Sequence, residues 1–217
     1  MTNFYNIAIR SEYSFHNSFA PIKDIVKIDA DCIGIADDNN TFGFIPFAKA
    51  MKAAGKKPLF GVRLEVFEEM QERFSNRFPI VLIAKNNDGL KEMYKLVSTA
   101  WEQFFWQPRL SLDDFDSITH NIFMIGGKHC DYSICNFSQS SNSEPVYVDD
   151  NNYLNLVDRD VYQLIAGSSK RGEERNYNFN SLSSPLFKSL TFNFPVFTSS
   201  SPITITLGIW RLSAFLI

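Results

Sequence analysis

Two adjacent aspartates, Asp37 and Asp38, follow a short apolar run and begin a polar turn that continues through Asn39 and Asn40. Carboxylates ligate cations, so cation binding is the chemistry that these residue types allow. The turn lacks the ligand spacing and terminal glutamate of a calcium-binding loop, which favours a strand-to-helix turn. The chain has no Ser/His/Asp set at motif spacing, no Walker loop and no dinucleotide-binding fingerprint.

A second group of candidate ligands consists of His129, Cys130 and Cys135. No C-x-x-C pair is present, and no fourth ligand stands at zinc-finger spacing. A zinc site is therefore not predicted, and no cofactor is expected.

Composition limits the classes of protein and of partner. The chain has 217 residues, of which 45% are hydrophobic and 21% charged, as in globular proteins. The net charge of -3 provides no global basic field for nucleic acid, so DNA contact would need a local patch. An odd set of three cysteines predicts no disulfide framework. No signal peptide and no membrane span are recognised, so we expect a soluble, cytoplasmic protein without a membrane partner.

Short apolar segments alternate with helical patterns through the first half of the chain. The last predicted helix is capped by Asn87 or Asp88. This alternation predicts an α/β protein with a mainly parallel sheet or barrel. Strands are predicted over 4–9, 32–36, 58–66, 79–84 and 122–125, helices over 21–30 and 44–54, and the apolar face of the last helix is Leu90, Met93, Val97, Ala100, Trp101 and Phe104.

The C-terminal region differs in composition from the rest. Residues 176–217 contain no acidic residue, and only Lys188 and Arg211 are basic. A normal surface carries charges of both signs. We therefore predict a domain over 1–170 and an atypical low-charge tail over 171–217. The tail can be an interaction segment, an aggregation-prone extension or out-of-frame sequence after a truncating mutation.

Five segments, in order, resemble the start of bacterial-type DNA polymerase III alpha subunits. Residues 9–14 (IRSEYS) are similar to the family's V-H-[ST]-[DE]-Y-S, and residues 34–43 (GIADDNNTFG) to A-I-T-D-H-G-N-L-F-G. Residues 55–63 resemble G-I-K-P-I-I-G-x-E. Residues 81–109 resemble the L-L-A-K-N, L-x-x-L-x-S and K-P-R run, and residues 148–154 resemble A-T-N-D-V-H-Y-L. The resemblance covers about residues 4–166 and is to the N-terminal PHP (polymerase and histidinol phosphatase) domain.

The resemblance implies a metal cluster held by histidines and carboxylates, and most of those ligands are absent here. Ala8 and Arg10 stand at the H-x-H motif, Arg63 at a glutamate, and Pro79 at a further histidine. Alanine and a guanidinium cannot ligate a metal. The positions of this degenerate metal site are Ala8, Arg10, Asp37, Asp38, Arg63, Asp150 and Asn152, of which only Asp37, Asp38 and Asp150 could contact a cation.

The two arginines suggest a replacement for the metal. Arg10 and Arg63 can neutralise Asp37, Asp38 and Asp150 through bidentate hydrogen bonds, since clustered carboxylates without a cation repel one another. Loss of either arginine would then cost on the order of 3–5 kcal/mol if the cluster is buried. The alternative is an exposed arginine at each strand end.

A dense aromatic run, Phe104-Phe105-Trp106, precedes Pro108 and Arg109. Stacking on single-stranded DNA is one interpretation. Core packing at a helix end is the interpretation that the helical period favours.

The spacing departs from the family after the strand at 122–125. Only residues 128–144 stand where the family has a helix–strand–helix excursion, so one barrel strand and its helix are missing. The fold expected is therefore α/β, a reduced or incomplete PHP-type (β/α) barrel with mainly parallel strands.

Three functions are open. The resemblance implies a non-catalytic relative or fragment of the DNA polymerase III alpha subunit with a structural or docking role in DNA replication. Its partners would be the polymerase core or a proofreading exonuclease subunit, with DNA contacted indirectly. The alternatives are a metal-dependent phosphoesterase or 3′–5′ exonuclease with an altered ligand set, and a truncated gene product without selected function. The chain is too short to hold palm, fingers and thumb, so polymerase activity in isolation is not expected.

Overall fold

The computed structural model describes residues 7–126, 135–136, 145–146, 151–168, 192–194 and 203–205. The helices are α1 (Ile22–Ile25), α2 (Phe44–Ala53), α3 (Asn87–Glu102), α4 (Leu112–Asp116), a 3₁₀ turn (Leu156–Asp158) and α5 (Arg159–Ser168). The strands are β1 (Cys32–Asp38), β2 (Lys57–Phe67), β3 (Arg77–Ala84), β4 (Ile122–Gly126), β5 (Cys135–Asn136), β6 (Pro145–Val146), β7 (Phe192–Phe194) and β8 (Ile203–Ile205).

The main sheet has four strands in the order β1-β2-β3-β4. The β1–β2 ladder is parallel, and the β2–β3 and β3–β4 ladders are antiparallel. Within the described residues no ladder joins β4 back to β1, so this sheet is not a closed barrel. The α/β class and the incomplete barrel predicted from the sequence are confirmed. The expectation of mainly parallel strands holds only at β1, because the short 68–76 connection allows β2 and β3 to form a hairpin.

A further chain segment lies along the free side of β1. Ile9 forms a parallel bridge with Ile35, through bonds from Ile9 N to Gly34 O and from Ala36 N to Ile9 O. Gly34 permits this approach, because a Cβ at that position would overlap the carbonyl oxygen of Ile7. The predicted strand over 4–9 is therefore represented by this bridge, and residues 1–6 lie outside the described residues.

Helix α1 is a single turn, whereas the sequence predicted a helix over 21–30. Beyond Ile25 the backbone bonds tighten, with Lys27 N donating to Asp24 O. The Lys56 ammonium group donates to the carbonyl oxygens of Val26 and Ile28 at 2.8 and 2.5 Å. Lys56 therefore gives both carbonyls a side-chain donor, and Ile28 O also accepts from Ala30 N, two residues on, rather than from an amide four residues on.

The N-cap of helix α3 lies one residue before Asn87 and two before Asp88, the two caps that the sequence predicted. The Asn86 side chain accepts a hydrogen bond from Gly89 N, which makes Asn86 the N-cap. Met93, Leu96 and Ala100 are buried on the face toward the sheet. Trp101 and Phe104, which the helical period assigned to the same face, are 50% and 52% exposed. That part of the prediction is wrong: Phe104 lies beyond the end of the helix at Glu102, and the Trp101 indole donates to Asn39 O.

The C-terminal part of the chain is described only in short pieces. β5 pairs with β6 and β7 pairs with β8, both antiparallel. None of the helices that the structure describes is long and apolar enough to cross a membrane.

Candidate functional site

The residues singled out from the sequence meet at the carboxyl end of β1. Asp37 and Asp38 are the last residues of β1, and Arg63 lies opposite Asp38 in the parallel β1–β2 register. Arg10 follows the Ile9 bridge on the other side of β1. We call Arg10, Ser11, Asp37, Asp38 and Arg63 the polar cluster.

Asp37 is fully buried and bonded to the loop that follows Arg10. It accepts hydrogen bonds from Ser11 N at 2.7 Å, Ser11 Oγ at 2.7 Å and Ser14 Oγ at 2.8 Å. Burial raises the pKa of the Asp37 carboxyl above its ordinary value, while the serine hydrogen bonds oppose that rise. The chain also passes close on the helix side, because a Cβ at Gly43 would lie 2.7 Å from Asp37 Oδ2.

Asp38 forms an ion pair with Arg10. Arg10 Nε lies 3.1 Å from Asp38 Oδ2 and 3.2 Å from Oδ1, and the two side chains are 13% and 16% exposed. Asn17 Nδ2 donates to Asp38 Oδ2 at 2.9 Å. The predicted pairing of Arg10 with Asp38 is therefore present in the structure.

Arg63 is buried and donates to main-chain oxygens. Its Nε lies 3.1 Å from Ala36 O, and its Nη2 lies 2.7 Å from Ala8 O. The sequence allowed Arg10 and Arg63 to pair with Asp37, Asp38 and Asp150. Asp37 accepts its bonds from the two serines. The pairing of Arg63 with Asp150 stays a prediction, because Asp150 lies outside the described residues. Successive side chains of a strand point to opposite faces, so one guanidinium does not reach both aspartates of β1.

Asn151 closes the polar cluster from the C-terminal side, and the sequence reasoning missed it. Its Oδ1 accepts from Arg10 N at 2.8 Å, and its Nδ2 donates to Arg10 O at 3.0 Å. The side chain is fully buried and pairs with the Arg10 main chain as a neighbouring strand would. An asparagine inside an apolar-flanked polar run is the only sequence signal for this contact, and it is a weak one.

Asn152, which the sequence aligned with the last histidine of the family motif, lies to one side of the cluster. Its Nδ2 lies 3.0 Å from Asn17 O and 3.1 Å from the Tyr162 hydroxyl. It thereby helps to hold α5 against the 14–19 loop. Asp150, the third predicted carboxylate, lies outside the described residues.

The donor set of the polar cluster does not fit a metal ion among the described residues. Ala8 has no ligating atom, and Arg10 and Arg63 bring positive charge and hydrogen-bond donors. The oxygens of Asp37 and Asp38 already accept bonds from serine, asparagine and arginine. Over the described residues, no three or more His, Cys, Asp and Glu side chains converge in a way that could hold a metal ion.

The PHP domain family matches residues 7–164, which includes the whole polar cluster and α2 to α4. The chain belongs to the PHP domain family.

Relatives of known name agree with this assignment. DNA polymerase III subunit alpha from Borreliella burgdorferi is 30% identical over 134 residues, which cover 56% of this chain and 12% of that protein. The same subunit from Bacillus subtilis is 36% identical over 101 residues, covering 44% of this chain and 9% of that protein. The resemblance read from the sequence is thereby confirmed. The match spans only about a tenth of the length of these relatives.

One solved structure shares a lower level of similarity. It is assigned as a metal-dependent phosphoesterase from Bifidobacterium adolescentis, with 14% sequence identity and a TM-score of 0.34. The match covers 44% of this chain and 32% of that one. At this similarity it adds nothing to the assignment of the PHP domain.

The remaining predicted features fall in different places. His129 and Cys130 lie outside the described residues, and Cys135 is described only as a strand residue. Phe104 and Trp106 are 52% and 61% exposed, and Phe105 is half-buried. The interpretation of this aromatic run as core packing is therefore wrong. The run sits in a turn after α3, beyond the sheet.

Proposed function

We propose that this PHP domain is non-catalytic and has a structural or docking role in DNA replication. The relatives by name are subunits of DNA polymerase III, which supports a place among replication proteins and therefore in the cytoplasm. The partners we propose are the polymerase core or a proofreading exonuclease subunit, with DNA contacted indirectly.

The observation that carries this proposal is the bonding of the two β1 aspartates. Both oxygens of Asp37 accept bonds from Ser11 and Ser14, and both oxygens of Asp38 lie within reach of Arg10. Hydrolysis of a phosphoester by metal-bound hydroxide needs several free anionic or imidazole ligands that converge on the metal. The polar cluster uses its carboxylates to hold the chain together, which favours a domain that supports or docks.

The first experiment is metal analysis of the purified full chain by mass spectrometry, with titration by manganese and zinc. We expect no stoichiometric metal and the same melting temperature with and without either ion. Tight binding of one or more ions per chain would overturn the non-catalytic proposal. Phosphoesterase and exonuclease assays with Asp37→Ala as the control would then follow.

The second experiment addresses docking. The full chain, immobilised, is mixed with purified polymerase core and exonuclease subunits from the same source. We expect retention of one of them, and we expect Arg63→Met, which disturbs the domain, to weaken that retention. No retention of either subunit at micromolar concentration contradicts the docking role.

We also propose that residues 1–170 form the PHP-like domain and that residues 171–217 are a separate low-charge tail. The end of the family match at residue 164 supports this boundary. A chain of residues 1–170 is expected to retain the melting temperature of the full chain. A marked loss of stability would instead make the tail part of the domain.

A further inference from the structure

Four large aromatic side chains are exposed in the last turn of α3, in the segment that follows it and in the 68–76 loop. Phe74, Trp101, Phe104 and Trp106 are 88%, 50%, 52% and 61% exposed. Exposed tryptophan and phenylalanine are more costly in water than any other side chains of this size, and they are enriched in the centres of protein interfaces. We call these four residues the aromatic surface.

The rings of the aromatic surface form two groups with defined contacts. Trp101 and Phe104 stack with ring centroids 5.8 Å apart and an interplanar angle of 8°. The guanidinium carbon of Arg73 lies 3.8 Å from the Trp106 ring centroid and 5.2 Å from that of Phe74. The indole N–H of Trp101 donates to Asn39 O at 2.7 Å, which fixes this ring beside the carboxyl end of β1.

A buried arginine joins the two loops that carry these rings. Arg109 Nε donates to Phe105 O at 2.9 Å. Its Nη1 donates to the carbonyl oxygens of Glu69, Met70 and Glu72 at 3.2, 3.0 and 2.7 Å. The 68–76 loop and the 103–108 turn are therefore held side by side before any partner arrives, which lowers the entropy cost of binding.

The charges beside the aromatic surface are mostly negative. Glu69, Glu72 and Glu102 are exposed, and none of them has an ion-pair partner in the part of the chain that the structure describes. Arg73 is the exposed cation beside them that has no carboxylate partner among the described residues, whereas Arg77, also exposed, is paired with Glu65. Three carboxylates beside one guanidinium repel the phosphates of nucleic acid and attract a cationic protein segment.

Ring faces in this region already bind guanidinium groups. Arg73 lies over Trp106, and the Arg109 guanidinium carbon lies 4.2 Å from the Phe67 ring and 4.9 Å from the Phe105 ring. Aromatic faces with carboxylates beside them recognise arginine through cation–π contact together with charge-assisted hydrogen bonds.

We propose that the aromatic surface is a docking site for an arginine-bearing segment of a partner protein. This inference deepens the docking role proposed above and rests on it. Exposed rings provide the apolar contact, and Glu69, Glu72 and Glu102 provide the charge. The single-stranded DNA interpretation of the same aromatic run becomes the competing outcome.

The test uses the full chain and a fluorescently labelled peptide of alternating arginine and glycine, at about physiological ionic strength. Binding is followed by anisotropy, alongside the lysine–glycine peptide, the glutamate–glycine peptide and oligo-dT. We expect the arginine peptide to bind more tightly than the lysine peptide, and no binding of the other two.

Two variants locate the site. The double substitution Phe74→Ala with Phe104→Ala should weaken arginine-peptide binding by about tenfold or more, since it removes exposed ring faces. The matched control is Leu156→Ala with Leu164→Ala, two residues of the 3₁₀ turn and α5 that are 69% and 76% exposed, and it should leave binding unchanged. Glu69→Gln with Glu72→Gln should weaken binding and reduce its salt dependence.

Three results overturn the proposal. The first is equal binding of the arginine peptide by the phenylalanine double variant and its control. The second is equal binding of the arginine and lysine peptides by the unsubstituted chain. The third is binding of oligo-dT that Phe74→Ala with Phe104→Ala abolishes. The last result would assign the aromatic surface to nucleic acid. Phe74→Ala with Phe104→Ala could lose peptide binding and still retain a replication subunit. That result would reject the aromatic surface as the place where the subunit docks, and it would leave the docking role itself in place.

Discussion

The polar cluster and the aromatic surface lie near the same end of the sheet, but they differ in burial: polar side chains are buried in the first, and apolar side chains are exposed in the second. In the polar cluster, Asp37 and Asp38 bond to neighbouring parts of the chain and are buried or nearly so, and the buried Asn151 bonds to the main chain of Arg10. In the aromatic surface, large rings that a core would bury remain in contact with water. Stability is therefore concentrated in the first region, and the capacity for new contacts in the second.

The difference lies in whether the groups of each region already have partners inside the fold. Bonds from Ser11, Ser14 and Arg10 satisfy carboxylates at the end of β1, and Arg63 satisfies two backbone carbonyls beside them. Carboxylates that are already hydrogen-bonded or paired inside the fold gain little further free energy from binding a ligand. Apolar surface that is left exposed retains its transfer free energy for a partner.

The largest effect should come from Arg63→Met, which keeps side-chain volume and removes the donors to Ala8 O and Ala36 O. We expect a loss of about 3 kcal/mol in the free energy of unfolding, since each buried carbonyl left without a donor costs about 1–3 kcal/mol. Urea denaturation followed by circular dichroism measures it. The control is Arg77→Met, whose pair with Glu65 is partly exposed and should contribute at most about 1 kcal/mol. Equal effects of the two substitutions would show that Arg63 does not bear the stability we assign to it.

Arg10→Ala should have the next largest effect. The lost bonds join a guanidinium to Asp38 in a mostly buried setting, which corresponds to about 2 kcal/mol for hydrogen bonds between charged groups. The clamp by Asn151 persists, because it uses the main-chain atoms of Arg10. Arg10→Lys keeps the charge, and its free energy of unfolding should fall between those of the unsubstituted chain and Arg10→Ala. An unchanged melting temperature in Arg10→Ala would argue against the ion pair.

A smaller effect should appear in the pH dependence of stability. Because burial raises the pKa of Asp37 above its ordinary 3.8, its contribution is fully present below that value and declines as pH rises through the folded-state pKa. Asp37→Asn should remove this decline, by up to about 1.4 kcal/mol per pH unit across the transition. Unfolding free energies of both proteins between pH 3 and pH 8 measure the difference. Parallel curves would mean that Asp37 does not titrate in this way.

The smallest effect on stability should come from the aromatic surface. Phe74→Ala with Phe104→Ala removes two mostly exposed rings, so the free energy of unfolding should change by less than about 0.5 kcal/mol per site. The same denaturation experiment measures it. A loss above 2 kcal/mol would show that these rings stabilise the domain, and the comparison between the two regions would fail.

Much of the fold could be predicted from the sequence because its signals are local. β1 to β4 were found within one or two residues at each end, since buried strands are short apolar runs between turn residues. α2 was also found, and Gly55, with a φ of 67°, ends it as expected. The α3 cap was missed by one position, since Asn86 and not Asn87 or Asp88 accepts from the first turn. The length of α1 was missed because Lys56, distant in sequence, bonds to the carbonyls that follow this helix.

The site was predicted in part. Motif order brought Arg10, Asp37, Asp38 and Arg63 together, and the structure places them at one strand end. Their partners were assigned less well. Alternation along β1 sends Asp37 to the serines and Asp38 to Arg10, and no motif contains that information.

Residue identities and their order along the chain were enough to assign an α/β PHP domain, because family motifs and apolar periodicity are properties of the sequence alone. Only the tertiary structure decided that Arg63 bonds to backbone oxygens, that Asn151 clamps Arg10, and that Trp101 and Phe104 are exposed. These three depend on where the sheet ends and on which distant segment approaches it. Hydrogen-bond partners and burial follow from three-dimensional proximity, which the helical or strand period of one segment does not specify.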